Sequence, residues 1–314
     1  MYYCVFRYGE LSLLVKSIML IDDFNQIIED KVDEIQQNIK LDLRENIDKN
    51  MYYHRNLFLK LMNFKNRTLY GKSYYVVCSK ELKGKLSKIP NEYVRNFHKI
   101  LEIISSKGNL IPYQSRHIES ASFDILFNNY GINHAHLSSK LKNNSNFMQP
   151  SDYLLFFITY GDTVYLIDID KHPHSDEWVD KKYPEIVYNN WPLIYESIRL
   201  RSVTDFNPKY NRKDEYKLSK SITLLKNIGG SVYLPFFSAI SGNGVPAQYV
   251  MFSNHLLNKI YGMEEELTNE ESMKRLGFSC SRNCEFKLKL KNNRLYLFEQ
   301  TRNECLDLGL PEIF

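Results

Sequence analysis

The chain has 314 residues, a formal net charge of +4, 43% hydrophobic and 25% charged residues. That length suits about two domains, and the charged share is that of folded chains, which excludes general disorder. Cys4, Cys78, Cys280, Cys284 and Cys305 are an odd, scattered set, too sparse for a disulfide-stapled secreted domain, and read as ordinary reduced thiols.

At the amino terminus the apolar run from Leu11 to Ile21 is broken by Lys16. It is too short to span a bilayer and lacks the layout of a secretion signal, so the expectation is a cytoplasmic protein with no membrane partner. From Asp22 to Lys49 acidic residues prevail, Asp22, Asp23, Glu29, Asp30, Asp33 and Glu34 among them. From Lys60 to Arg116 cations prevail, with Lys60, Arg67, Lys85 and Arg95 among them. A basic stretch of that kind either attracts a phosphate backbone or forms solvated helical faces. If it binds RNA, the acidic segment upstream is placed to cover it as an internal inhibitor.

Residues 22–63 read as helical, since Phe24, Ile27, Ile28, Val32, Ile35, Ile39 and Leu43 recur at spacings of three and four. A short strand over Ser73–Ser79 and a helix from Asn91 to Lys107 follow, with Asn91 as N-cap and Gly108 as the stop. After a loop over 109–118, a helix over Glu119–Asn129 ends at Gly131. Ile132–Ser138 then reads as a strand, and Tyr153–Tyr160, apolar on both faces, as a buried central one. Gly161-Asp162 forms a two-residue turn and Thr163–Asp170 returns antiparallel, with Thr159 opposite Val164 and Leu155 opposite Asp168.

Helical patterns resume over Asp176–Asn189 and Pro192–Leu200, and the polar segment Ser202–Arg212 is the candidate linker. A helix near Asp214–Lys226, Gly229-Gly230, an apolar strand ending at Pro235 and a helix from Val245-Pro246 to Leu267 follow. Glu285–Lys291 and Arg294–Gln300 flank Asn292-Asn293 as a second hairpin. The pattern is an α+β protein with a helical amino-terminal region (1–118), a central antiparallel sheet (119–201) and a smaller α+β carboxy-terminal region (202–314).

The chemistry concentrates in one window. His134, His136, His172 and His174 are half of the eight histidines, and His134 and His136, two apart on a strand, share a face. Two adjacent imidazoles suit proton transfer near neutral pH or metal binding. In acid–base work on a phosphodiester, His134 and His136 serve as base and acid, with His172 or His174 closing the site. Arg116, Lys140 or Lys142 then holds the phosphate. In a zinc site the same histidines are ligands with Asp168 or Asp170 as carboxylate partner, although no familiar zinc signature is present. Two features carry no such chemistry: Cys280 and Cys284 are separated by three residues with no second pair nearby, and Ser241-Gly242-Asn243-Gly244 lacks the lysine of a phosphate-binding loop.

Asp152-Tyr153-Leu154-Leu155-Phe156-Phe157 followed by Val164-Tyr165-Leu166-Ile167-Asp168-Ile169-Asp170-Lys171-His172 resembles the central hairpin of the RelE-like ribonuclease toxins, within the broader barnase-, EndoU- and RelE-type folds. The resemblance covers roughly residues 90–175 and rests on element order. It implies metal-independent cleavage of RNA with catalytic groups on the sheet, no cofactor, and a role as effector of a bacterial toxin or phage-defence system. RNA is then the partner, with a regulatory or inhibitory protein as a second. The alternatives are a non-enzymatic module binding nucleic acid or protein, and a zinc-dependent hydrolase.

Overall fold

The computed structural model describes residues 19–115, 118, 124–237, 245–279 and 284–314. Its helices are α1 (Leu20–Ile39), α2 (Tyr53–Arg67), α3 (Lys80–Lys85), α4 (Asn91–Ser105), α5 (Ile125–Tyr130), α6 (Lys182–Asn190), α7 (Leu193–Glu196), α8 (Arg212–Leu218), α9 (Ala247–Glu266) and α10 (Glu270–Arg275). Its strands are β1 (Tyr75–Cys78), β2 (Ile132–His136), β3 (Tyr153–Tyr160), β4 (Thr163–Lys171), β5 (Lys226–Ile228), β6 (Ser231–Tyr233), β7 (Phe286–Lys291), β8 (Arg294–Glu299) and β9 (Glu304–Asp307). The fold is α+β. Among the described residues no helix is long and apolar enough to cross a membrane.

Two compact units emerge, one of residues 31–254 and the other of residues up to Asp30 together with 255–314. These units do not follow the three regions expected from the chain. β5 and β6 pack with the histidine sheet, because Ile228 and Tyr233 are part of its core.

In the larger unit a four-stranded sheet runs in the order β1-β4-β3-β2. Its β2–β3–β4 portion is antiparallel, as expected, but β1 adds to β4 in parallel, so the sheet is mixed. One face carries Ala135, Leu155, Phe157, Val164, Leu166 and Ile169 against Phe97, Ile100 and Ile104 of α4. The other carries Ile132, Leu154, Phe156, Ile158 and Ile167 against Tyr183, Ile186 and Val187 of α6. Both faces are covered, which is why β3 reads as a continuous apolar run.

The β3–β4 hairpin turns at Gly161, whose φ is +60°, and Thr159 lies opposite Val164 as expected. Leu155, however, pairs with Ile169 rather than Asp168, because the register shifts by one between Phe156 and Phe157. Ile167 is the extra residue of a β-bulge, a feature that alternation alone does not announce. The Ser79 hydroxyl donates to the Ile167 carbonyl at 2.6 Å and caps α3 by accepting from the Leu82 N–H at 2.9 Å.

Other expectations change locally. The helix expected over 22–63 is two helices: α1 ends where Lys40 takes a φ of +55°, and Leu41 and Leu43 bury in the intervening turn. Asn91 is the first helical residue of α4 and not its cap, and the left-handed position after α4 falls on Lys107. The helix expected over 214–226 stops at Leu218, and Lys226 opens β5. Of the cations expected to form a basic surface, Lys60 and Arg67 are buried. Arg67 pairs with Asp124 at 2.9 Å, and Lys60 donates to the Glu45 carbonyl at 2.7 Å. In the acidic segment, Asp33 and Glu34 pair with Arg44 and Lys31.

In the smaller unit, β7, β8 and β9 form an antiparallel sheet. The hairpin at Asn292-Asn293 is as expected, with φ of +50° and +60° at its two tip residues. The third strand, β9, was not foreseen. Cys284 is disulfide-bonded, contrary to the reading of all five cysteines as reduced thiols; Cys78 and Cys305 are free. Cys280 and the 241–244 loop lie outside the described residues.

Candidate active site

The site begins with the turn that launches β2. Asp124 caps α5 by accepting from the Phe127 N–H at 3.0 Å, and Gly131 ends it in the left-handed region at φ +70°. A Cβ on Gly131 would stand 2.8 Å from the Phe236 ring, so glycine serves both the backbone turn and the close contact. One residue later the chain is extended, and His134 and His136 follow Ile132 onto the face toward α6.

The bulge brings His172 to that face. Leu166 and Ile169 enter the same core although they are three residues apart, and Ile167 enters the other. Asp168, Asp170 and His172 therefore lie on the side of Ile167 and of the β2 histidines. A regular strand would have sent them to the opposite core. The His136 and His172 rings consequently stack with centroids 6.2 Å apart and planes at 21°. His134 meets His136 edge-on at 6.3 Å.

Trp178, on the 3-10 turn Ser175–Val179, packs against both His134 at 5.1 Å and His172 at 5.4 Å. Together these side chains border a cavity of about 390 Å³ that is also lined by Ser115, Asp124, Tyr216 and Lys220. Tyr216 and Lys220 come from α8 and the residues just after it, and the Lys220 ammonium lies 3.9 Å from the Tyr216 ring centre. Arg212 at the start of α8 pairs with Asp180 at 3.0 Å, next to the turn that carries Trp178. From within the sheet unit, the buried Lys226 holds Glu215 at 2.8 Å and fixes the same helix.

Hydrogen bonds set two of the ring tautomers. The His136 Nδ1 accepts from the Ser151 N–H at 3.3 Å, which leaves its Nε2 as the protonated nitrogen. The His172 Nδ1 lies 2.9 Å from the Pro173 carbonyl, an acceptor, so that nitrogen donates, and in the neutral ring Nε2 carries the lone pair. Burial, reinforced by the neighbouring His134 and His172 rings, brings the His136 pKa down to about 4. His136 is therefore neutral at pH 7.

Beside the histidines, Asp168 and Asp170 are held by lysines. Lys85 lies 3.0 Å from Asp168 and 3.5 Å from Asp170, and Lys182 lies 3.0 Å from Asp168 and bonds Asp170 as well. Burial pushes the Asp170 carboxyl up, but the hydrogen bond and charge of Lys182, with Lys85, prevail and hold it below its usual value. Burial likewise opposes the charge on Lys182, and Asp170 and Asp168 outweigh it and raise its pKa. These carboxylates are committed to lysines, and among the described residues no three histidine, cysteine or acidic side chains are grouped to hold a metal ion.

Of the residues singled out from sequence, His134, His136 and His172 meet at the cavity. His174 is exposed, outside the cavity lining, its ring 6.5 Å from that of His172. Its backbone N–H donates to Glu177 Oε2 at 2.7 Å, starting the 3-10 turn. Lys140 and Lys142 stand exposed on the loop after β2, away from the cavity lining. Arg116 lies outside the described residues. Among the described residues the lysine or arginine that lines the cavity is Lys220, which sequence reasoning placed in a separate region. Trp178 was equally missed, although its place six residues after His172 was a usable signal. No protein-family model, no curated protein and no solved structure matches this chain.

Proposed function

We propose that this cavity cleaves RNA by acid–base catalysis, the 2′-hydroxyl attacking the adjacent phosphorus. The observation that carries the reading is the pair of stacked imidazoles with opposite tautomers, one offering a lone pair and the other an N–H. The His172 Nε2 accepts the 2′-hydroxyl proton as the oxygen attacks. The His136 Nε2–H, neutral because of its low pKa, donates a hydrogen bond to a phosphoryl oxygen and does not act as the acid. Lys220 balances the charge that develops there. His134, entering the step as the imidazolium, gives its proton to the departing 5′-oxygen and ends neutral while His172 ends protonated, leaving a 2′,3′-cyclic phosphate. This assignment departs from the roles first given to the β2 pair: His134 becomes the acid and the base passes to His172, since His136, with a pKa of about 4, is not protonated at pH 7.

Asp124 does not repel the phosphate because the buried Arg67 beside it cancels its charge. The role as effector of a bacterial toxin or phage-defence system, in the cytoplasm, rests on the resemblance of the β3–β4 hairpin to the RelE-like toxins. A zinc-dependent reading gains no support from the placement of Asp168 and Asp170, which the lysines hold.

The test uses a single-stranded RNA substrate in EDTA, with product analysis for the cyclic phosphate. The purified protein is expected to cleave, His172→Ala to lose roughly 10²–10⁴-fold in rate, and His174→Ala to stay within about twofold of the parent, since a surface contact outside the cavity makes no transition-state bond. Equal cleavage by His172→Ala overturns the assignment. Saturable RNA binding with no cleavage by the parent favours the binding module instead.

A further inference from the structure

The sheet of the smaller unit has one face that the cleavage reading does not use. Its inward face carries Phe286, Leu288, Leu295 and Leu297, all buried. On the outward face Lys287, Lys289 and Lys291 alternate along β7 and are exposed. Across the ladder, Lys287 lies opposite Phe298, Lys289 opposite Tyr296 and Lys291 opposite Arg294. Both aromatics are half-buried. On β9, Cys305 pairs with Phe298 and Asp307 with Tyr296. Asp23 of α1 reaches the β7 backbone, accepting from the Leu288 N–H at 2.9 Å, where the charge of Lys287 acts on it. The four cations Lys287, Lys289, Lys291 and Arg294 outnumber these two acids. Asp307 is in part engaged by the Gly309 N–H at 2.8 Å.

We propose that this face binds single-stranded nucleic acid, with the β7 cations on the phosphates and the Tyr296 and Phe298 rings under the bases. Three physical points favour that occupant. The row of lysines is spaced at two-residue intervals, so Lys287 to Lys291 tracks an extended backbone for roughly 13 Å. The aromatics form a second row beside the first, the arrangement on which unpaired bases stack without regard to sequence. The charge is complementary to a polyanion. In the free protein the Lys289 ammonium covers the Phe298 ring, 3.8 Å from its centre; a bound phosphate draws the lysine away and uncovers the ring for a base. The inference does not depend on cleavage, because the ligand is held through phosphate and base and needs no 2′-hydroxyl.

The experiment measures binding of a fluorescein-labelled oligothymidylate of about fifteen nucleotides to the full-length chain carrying His172→Ala, by fluorescence anisotropy over a salt series. DNA lacks the 2′-hydroxyl, so turnover does not confuse the reading. For three to four phosphate contacts the slope of log affinity against log salt is expected near −2 to −3. Lys287→Glu with Lys289→Glu should weaken binding at least about tenfold and flatten the slope. Tyr296→Ser with Phe298→Ser should weaken it at least about tenfold and leave the slope in place. All four side chains lie on the outward face, and thermal unfolding confirms that each variant folds. Parental affinity in both variants, or absence of salt-dependent binding, overturns the proposal. So does binding to phosphatidylserine vesicles with none to the oligonucleotide, which marks a membrane face. A parent that binds the oligonucleotide through this face yet leaves RNA intact refutes the cleavage reading alone.

Discussion

His136 illustrates how one position sets both chemistry and acid stability. In the unfolded chain its imidazole titrates near the ordinary histidine value of about 6.5, and in the fold near 4. Between those values the unfolded state binds more protons, so stability rises with pH through that window and is lost as pH falls from 6.5 toward 4. The loss from this residue is on the order of 3 kcal/mol at the acid end. Replacing His136 with Gln should flatten the pH dependence of unfolding in urea between pH 4 and 6.5. An unchanged profile would mean that another group governs acid sensitivity.

At the scale of elements, the bulge in β4 decides which side chains share the cavity. Ile167 is the residue inserted opposite the Phe156–Phe157 step, and its carbonyl is held by the Ser79 hydroxyl at the N-terminus of α3. That hydroxyl also accepts from the Leu82 N–H, and Ser79 is completely buried. Ser79→Ala therefore removes a helix cap and leaves a buried carbonyl short of a donor, at a cost of about 2 kcal/mol. Chemical denaturation should show that loss. Cleavage should fall beyond what the stability change explains, because the carbonyl anchors the strand that turns His172 toward His136. A destabilised variant with parental cleavage would detach the bulge from the site. Sequence reading misplaced this element by one residue: alternation counts residues from the turn, and nothing in Leu166-Ile167-Asp168 says that one of them is supernumerary.

At the scale of the molecule, the cavity is built from segments about a hundred residues apart, Ser115 and Asp124 before β2 and Tyr216 and Lys220 after the polar segment Ser202–Arg212. That polar segment reads as a boundary between regions, yet residues beyond it close the site. The buried Lys226–Glu215 pair and the Arg212–Asp180 contact hold α8 in position to do so. In the proposed reaction the phosphate-binding role therefore falls to Lys220 and not to the loop lysines. Lys220→Ala should lower kcat/KM for RNA cleavage at least about tenfold, the loss of one charge contact to a developing phosphoryl charge. Lys140→Ala with Lys142→Ala should leave it within about twofold, since screened charges outside the cavity lend little to the chemical step. The opposite ranking would return the phosphate to the loop after β2.

The sequence by itself determined the elements whose cause is local. The apolar β3 run, the Gly161 turn, the Asn292-Asn293 hairpin and the shared face of His134 and His136 follow from alternation and turn chemistry, which act over a few residues. Only the tertiary structure decided that His172 joins that face and His174 does not, that Asp168 and Asp170 go to lysines, and that Lys220 and Trp178 complete the cavity. The physical reason is that a bulge and a returning helix are stabilised by contacts between residues far apart in the chain. Ser79 with Ile167 and Lys226 with Tyr130 are such contacts, and no periodicity records them.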